Sequence, residues 1–313
     1  MALSLLKNLA RSVGVILSVT FATFAMMYSN GSGVARSVLG LNATATDIQR
    51  EVAELGLDRP LLTQYWEWLS GAATGDLGTS FYTGQTVRDA LSNRVPVTVT
   101  IVIITLLLTT VISVILGVTA AVRGGWVDRL VQFFTVLGAA VPGYVVAIVL
   151  VFTFAVAWRL LPATGYVPIE QGLSPWAASV TLPVVSLLVG TSAGVAAMFR
   201  AAVLDTLGRD YVRTLRARGV KEREVIFRNV LRNAAVPGLT ALNLTMVGLF
   251  AGAVFIEIVF ALPGVGQLGQ SAALSSDVPM VMGTVLVTLL IVLTVNFLSD
   301  LGVTLLNPKA RHR

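Results

Sequence analysis

One carboxylate stands where a carboxylate is costly. Glu257 falls inside the apolar run Val236–Ala261, four residues before its end. A charge at membrane depth costs several kcal/mol unless it faces protein or water. Two roles fit it: a hydrogen bonder at an interface or between helices, or a residue lining or gating a polar path. Pro263-Gly264 follows that run, and Pro142-Gly143 interrupts another apolar run, where a kink or tilt is expected. Other reactive chemistry is scarce. His312 is the only histidine and there is no cysteine, so thiolate, zinc and Ser–His chemistry lack their side chains. No Gly-Lys pair exists to build a phosphate-cradling Walker loop, and H-E-x-x-H does not occur; the G-x-S-x-G match at Gly190–Gly194 lies inside an apolar run and has no histidine to use. No catalytic residue, metal site or bound cofactor is expected in this chain.

The elements that would position Glu257 are membrane helices. Of 313 residues, 55% are hydrophobic and only 12% charged, about half the charge of an ordinary soluble domain. Runs of about 20 apolar residues suit the hydrocarbon core. Six occur, at Val13–Ser29, Val95–Val122, Leu130–Trp158, Ala177–Phe199, Val236–Ala261 and Val281–Leu306. The first reads as an uncleaved anchor, because the first A-x-A match after it, Ala43-Thr44-Ala45, lies well downstream. Small-residue pairs at Gly190/Gly194 and Gly248/Gly252 are expected to let helices approach closely.

Basic residues set the orientation. Sixteen of them fall on one side of the spans and six on the other, which puts both termini in the cytoplasm. Topology accounts for the net charge of +6, and no nucleic-acid partner is implied. The chain divides into an anchor helix (1–29), an outer segment (30–94), a five-helix core (95–306) holding a charged inner loop (200–235), and a tail (307–313). The outer segment should carry short helices at Thr46–Leu55 and Leu61–Leu69, with an irregular stretch over Gly71–Gly84. Tyr65, Trp66 and Trp68 either sit at headgroup level or dock a partner protein. The inner loop mixes nine basic residues with Asp205, Asp210, Glu222 and Glu224, which suits a docking surface.

Asp210-Tyr211-Val212-Arg213-Thr214-Leu215-Arg216-Ala217-Arg218-Gly219 resembles the cytoplasmic EAA-type loop of permeases in ATP-binding-cassette (ABC) importers, in its dipeptide/oligopeptide/nickel form D-Y-V-R-T-A-R-A-K-G. The likeness continues through Phe227–Ala234 and Pro237, and resumes at Glu257–Gly266, similar to E-x-x-F-x-x-P-G-x-G. Gly56–Pro60, Gly75–Ser80 and Leu161–Tyr166 resemble loops of the first of the two permease subunits, and Asn307-Pro308-Lys309 the family's closing D-P-R. Leu215 stands where alanine is usual, and Asn307 replaces a carboxylate.

The resemblance implies an all-α, six-span protein with a type I importer (MetI-like) core and a long extracytoplasmic loop after the first helix. It implies a permease of the bacterial inner membrane that moves peptides or a related small solute by alternating access. Its partners would be a second homologous permease, two ABC ATPase subunits that hold ATP and Mg, and an extracytoplasmic substrate-binding protein. Arg213–Glu222 would form the coupling helix, so that Asp210, Tyr211, Arg213, Thr214, Leu215, Arg216, Ala217, Arg218, Gly219, Val220 and Glu222 meet the ATPase. Glu257, Pro263, Gly264 and Pro142 would line or gate the path, and Tyr65, Trp66 and Trp68 would receive the binding protein. A stand-alone carrier or channel working through Glu257 is the other reading.

Overall fold

A computed structural model describes residues 2–28, 31–40 and 42–306. In chain order its helices are α1 (Ala2–Tyr28), α2 (Gly31–Leu39), α3 (Ala45–Glu54), α4 (Leu61–Thr74), α5 (Val87–Ser92), α6 (Val95–Arg123), α7 (Gly125–Ala140), α8 (Gly143–Leu150), α9 (Leu173–Leu207), α10 (Asp210–Ala217), α11 (Glu222–Glu224), α12 (Leu231–Val259), α13 (Val265–Ser275) and α14 (Val278–Leu306). Wider π-helical turns follow α8 at Val151–Ala157 and α11 at Val225–Val230. Among the described residues the only β pairing is an isolated antiparallel bridge, Thr79 to Thr86. Five helical stretches are long and apolar enough to span a membrane. The third expected span is instead a pair, α7 and α8, bent by 96° where Pro142 caps α8. Proline supplies no N–H and clashes with a continuing helix, so the expected kink becomes a break. The Asn307–Lys309 likeness lies outside the described residues.

The chain folds as two compact units. One comprises residues 1–98 and 263–293, so the outer segment is built together with α13 and the start of α14. Its short helices are set by local chemistry. Thr44 and Asp47 form a reciprocal capping box that starts α3, and the Thr44 hydroxyl holds the Asp47 carboxyl below its usual range. Helix α4 runs past the expected Leu69 and ends where Gly75 takes φ 90°. Two apolar clusters fill the unit. Val87, Ala90 and Leu91 of α5 pack on Val265, Leu268 and Met280. Phe24, Val34, Leu57 and Tyr65 pack on Val278 and Met282. A Cβ at Gly283 would lie 2.2 Å from Val87 Cγ1, so only glycine lets α5 and α14 meet this closely. The buried Asp277 carboxylate accepts hydrogen bonds from Ser80 Oγ at 2.5 Å and from the Phe81 amide at 3.3 Å, fixing the hairpin loop.

The second unit comprises residues 99–262 and 294–313 and is organised around α9, which packs on α7, α8 and α12. Phe199 is its keystone. A Cβ at Gly238 of α12 would fall 2.2 Å from the Phe199 ring, and one at Gly117 of α6 would lie 2.8 Å from Phe199 Cβ. Close approach is thus made at Gly117, Gly138 and Gly238. At Gly194 and Gly248 a side chain would meet nothing within 4 Å, and Gly190 has only a carbonyl 3.9 Å away. Of the two expected pairs, only Gly252 is tight, with Leu187 at 3.3 Å. Hydroxyls join helices across the apolar interior, as Thr109 to Thr191 at 2.9 Å and Ser113 to the Ser192 carbonyl at 3.1 Å. Arg200 of α9 holds Asp128 of α7 through a bidentate ion pair.

Candidate functional site

The charged inner loop is a mounted helix. Eight residues are too few for a helix to persist alone in water, so α10 depends on what it packs against. Val212 is fully buried among Val203, Val225, Val230 and Ala234, with Tyr211, Leu215 and Val220 closing around them. Two polar tethers fix its ends. Asn233 Nδ2 of α12 donates to Tyr211 Oη at 3.0 Å. Arg216 donates twice to the Glu222 carboxylate, at 3.0 and 2.6 Å. Between them Gly219 turns the chain at φ 75°, a conformation strained for any other residue.

The other face of α10 is open. Arg213, Thr214, Ala217 and Arg218 are exposed, and Asp210 stands 4.0 Å from Arg213 at its first turn. The helix therefore ends at Ala217, short of the expected Glu222, and the remainder is its turn and latch. Geometrically it is a short polar ridge on a rigid apolar base. Sequence reasoning did not single out Asn233 as a tether, although it lies inside the matched Phe227–Ala234 run.

The path residues fall in different places. Glu257 is 1% exposed in the last turns of α12, and its carbonyl accepts the Leu262 amide at 2.8 Å. Phe255, two residues before it, meets Tyr144 of α8 with ring centres 6.0 Å apart, just beyond the break at Pro142. The Gly165 amide donates to the Phe260 carbonyl at 2.8 Å, so two matched loops, Leu161–Tyr166 and Glu257–Gly266, come together here. Pro263 and Gly264 belong to the first unit, where Gly264 precedes α13. Ala261 takes φ 47° in closing α12, a position where glycine is the usual residue. Ala261→Gly is expected to raise stability by about 1 kcal/mol, read as a higher melting temperature in detergent. No group of His, Cys, Asp and Glu able to hold a metal occurs among the described residues.

The expected aromatic docking trio is divided. Tyr65 is buried, edge-on to Phe21 and Phe24, and Trp68 stacks against it. Only Trp66 projects outward, 69% exposed. Helical spacing puts residues 65 and 68 on the face opposite 66, so Tyr65 lies in the core and Trp68 packs partly buried against it.

Comparison with known proteins agrees with this architecture. Residues 113–312 match the family model described as binding-protein-dependent transport system inner membrane component. Residues 1–102 match that of the N-terminal part of such membrane components. The chain is 33% identical over 313 residues to a probable peptide ABC transporter permease of Sinorhizobium fredii, covering 100% of both. It is 35% identical over 309 residues to a putative peptide transport system permease of Brucella abortus, and 30% over 309 residues to the glutathione transport system permease GsiC of Escherichia coli, covering 98% of each chain in both cases. Among solved structures, a chain of the MetNI methionine ABC transporter shares the fold at TM-score 0.54 and 21% identity, over 70% of this chain and 96% of that one. With both segments matched in order and the fold shared, this chain belongs to the family of binding-protein-dependent transport system inner membrane components, the permease subunits of ABC transporters, and is a transport protein and not an enzyme.

Proposed function

We propose that this permease conducts peptides, or a related small solute such as glutathione, into the cytoplasm, driven by ATP that separate subunits bind with Mg and hydrolyse. The relatives' names support the substrate class. The observation that carries the coupling is α10, an exposed polar ridge seated on a buried valine cluster. Excess Lys and Arg near both termini and through 200–232 supports a cytoplasmic position for the termini and α10. There α10 seats in a groove of one ATPase subunit. Closure of the ATPase pair pushes the ridge, and the push passes through Val212 into α9 and through Asn233 into α12. A second permease completes the pathway, and an external binding protein delivers the solute. Alternating access then follows from biasing a two-state arrangement of packed helices. Glu257, Pro263, Gly264 and Pro142 stand as the candidate lining or gate, Glu257 as a buried carboxylate and Pro142 as a helix break.

A stand-alone carrier working through Glu257 is not favoured, because such a carrier has no use for a mounted docking helix. The deciding experiment is a pull-down of the tagged chain from native membranes in mild detergent, with mass spectrometry and an ATPase assay. Co-recovery of a second permease and a Walker-containing ATPase is expected. Repeated recovery of the folded chain alone, with uptake that needs no ATP, would overturn the assignment.

A further inference from the structure

Helix α4 has an outward face unlike that of a helix in water. Leu62 and Trp66 are 68% and 69% exposed, one turn apart, and Thr63, Ser70 and Ala73 continue the exposed face. Its only charged residue, Glu67, is paired with Arg59 at 2.9 Å. A solvated helix normally spreads charge over its outer face, whereas this one shows an aliphatic and an indole side chain beside a single exposed ion pair.

Its depth is set by Tyr65. The hydroxyl lies 2.9 Å from Thr20 Oγ1 and donates to the Leu17 carbonyl at 3.2 Å, both on α1. The apolar window of α1 is Ala10–Tyr28. Thr20 stands about 12 Å along the helix axis from Tyr28, at 1.5 Å per residue, well within a hydrocarbon core roughly 30 Å thick. The ring itself contacts Phe21 and Phe24, the latter one turn short of the window's end. Phe24 lies about 6 Å inside the window's end at 1.5 Å per residue, so the Tyr65 ring reaches inward from Phe24 to Thr20. The turn of α4 that bears it sits at the outer end of the apolar window, and Leu62 and Trp66 stay exposed on that turn.

We propose that α4 is an interfacial lipid-binding helix: the Leu62–Trp66 edge inserts into the outer leaflet, at the junction of headgroups and acyl chains, and anchors the outer segment to the bilayer. Trp66 suits this place, with an apolar body and an N–H for the wet side. Lipid is the occupant because the face continues from a span and is held at its depth, and because it carries no free charge with which to select a protein partner.

The absence of cysteine makes the test direct. Trp66→Cys, Leu62→Cys and, as a control on α3, Glu54→Cys each carry a single nitroxide label in the full-length protein reconstituted in vesicles of phosphatidylethanolamine and phosphatidylglycerol. The ratio of collision rates with oxygen, which concentrates in lipid, to those with an aqueous nickel chelate is expected to exceed one at positions 62 and 66. It is expected to fall below one at 54. A ratio below one at both 62 and 66 would place the face in water and overturn the proposal. Labels at both positions shielded from both reagents would place protein over it, whether a binding protein or a second copy, and overturn it as well. Position 62 covers the case in which loss of the Trp66 indole disturbs folding. Because no transport is measured, the outcome is separate from the importer assignment.

Discussion

Val212→Asp is expected to abolish ATP-driven uptake in proteoliposomes while leaving the chain inserted. Val212 is fully buried at the centre of the cluster under α10. An uncompensated charge at such a site costs about 3–5 kcal/mol. The Tyr211–Asn233 hydrogen bond and the exposed Arg216–Glu222 pair oppose this with about 1 kcal/mol or less each. The cheapest response is for α10 to leave its seat, which breaks the mechanical link while the spans stay packed. Hydrolysis by the assembled ATPases should then run without transport, or fail to be stimulated by solute. Val212→Ile, which keeps the site apolar, should retain most of the uptake. Wild-type uptake in a well-inserted Val212→Asp protein would mean that α10 is not the coupling element.

Gly117→Ala is the second large effect, and it acts on stability. The added methyl would lie 2.8 Å from Phe199 Cβ, 2.9 Å from the Ala196 carbonyl oxygen and 2.9 Å from the Arg200 amide. Two of those three neighbours are backbone atoms of α9, so rotamer changes cannot relieve the clash and α6 and α9 must separate. Overpacking of this kind costs about 1–3 kcal/mol. The same displacement moves Arg200 against Asp128 and Phe199 against Gly238, so the loss spreads to α7 and α12. A clearly lower melting temperature and a lower folded yield in detergent are expected. Unchanged melting would show that the α6–α9 contact is looser than the structure has it.

How much of this could be read in advance follows from what kind of force sets each feature. The spans were legible because burial of about 20 residues in hydrocarbon leaves a composition signal that no neighbour can mask. The short helices α3 and α4 were legible through their amphipathic pattern, and Gly219 through the turn it must make. The break at Pro142 was visible as a kink, but its 96° depended on how α7 and α8 each pack against α9. Helices α2, α5 and α13 were missed: α5 is too short for periodicity to declare it, and α2 and α13 carry glycines and serines that are weak helix formers. The glycine contacts went wrong for a related reason. Four-residue spacing marks a face on which approach is possible, whereas Gly117 and Gly238 are small because Phe199 lies over them, a fact held by another helix. Tyr65 and Trp66 are neighbours in sequence with opposite fates, and the neighbours that bury Tyr65, Phe24 of α1 and Met282 of α14 among them, are brought there by the fold.

The bond between Ser80 and Asp277 joins residues 197 positions apart, and the unit it belongs to is made of residues 1–98 and 263–293. Ribosomal synthesis delivers residues 1–98 long before 263–293, so Val87, Ala90 and Leu91 have no complete surface to pack on until the last span is being made. Contacts this distant in sequence close late. A chain that stops before Pro263 therefore leaves Val87, Ala90 and Leu91 without the surface of Val265, Leu268 and Met280 that buries them.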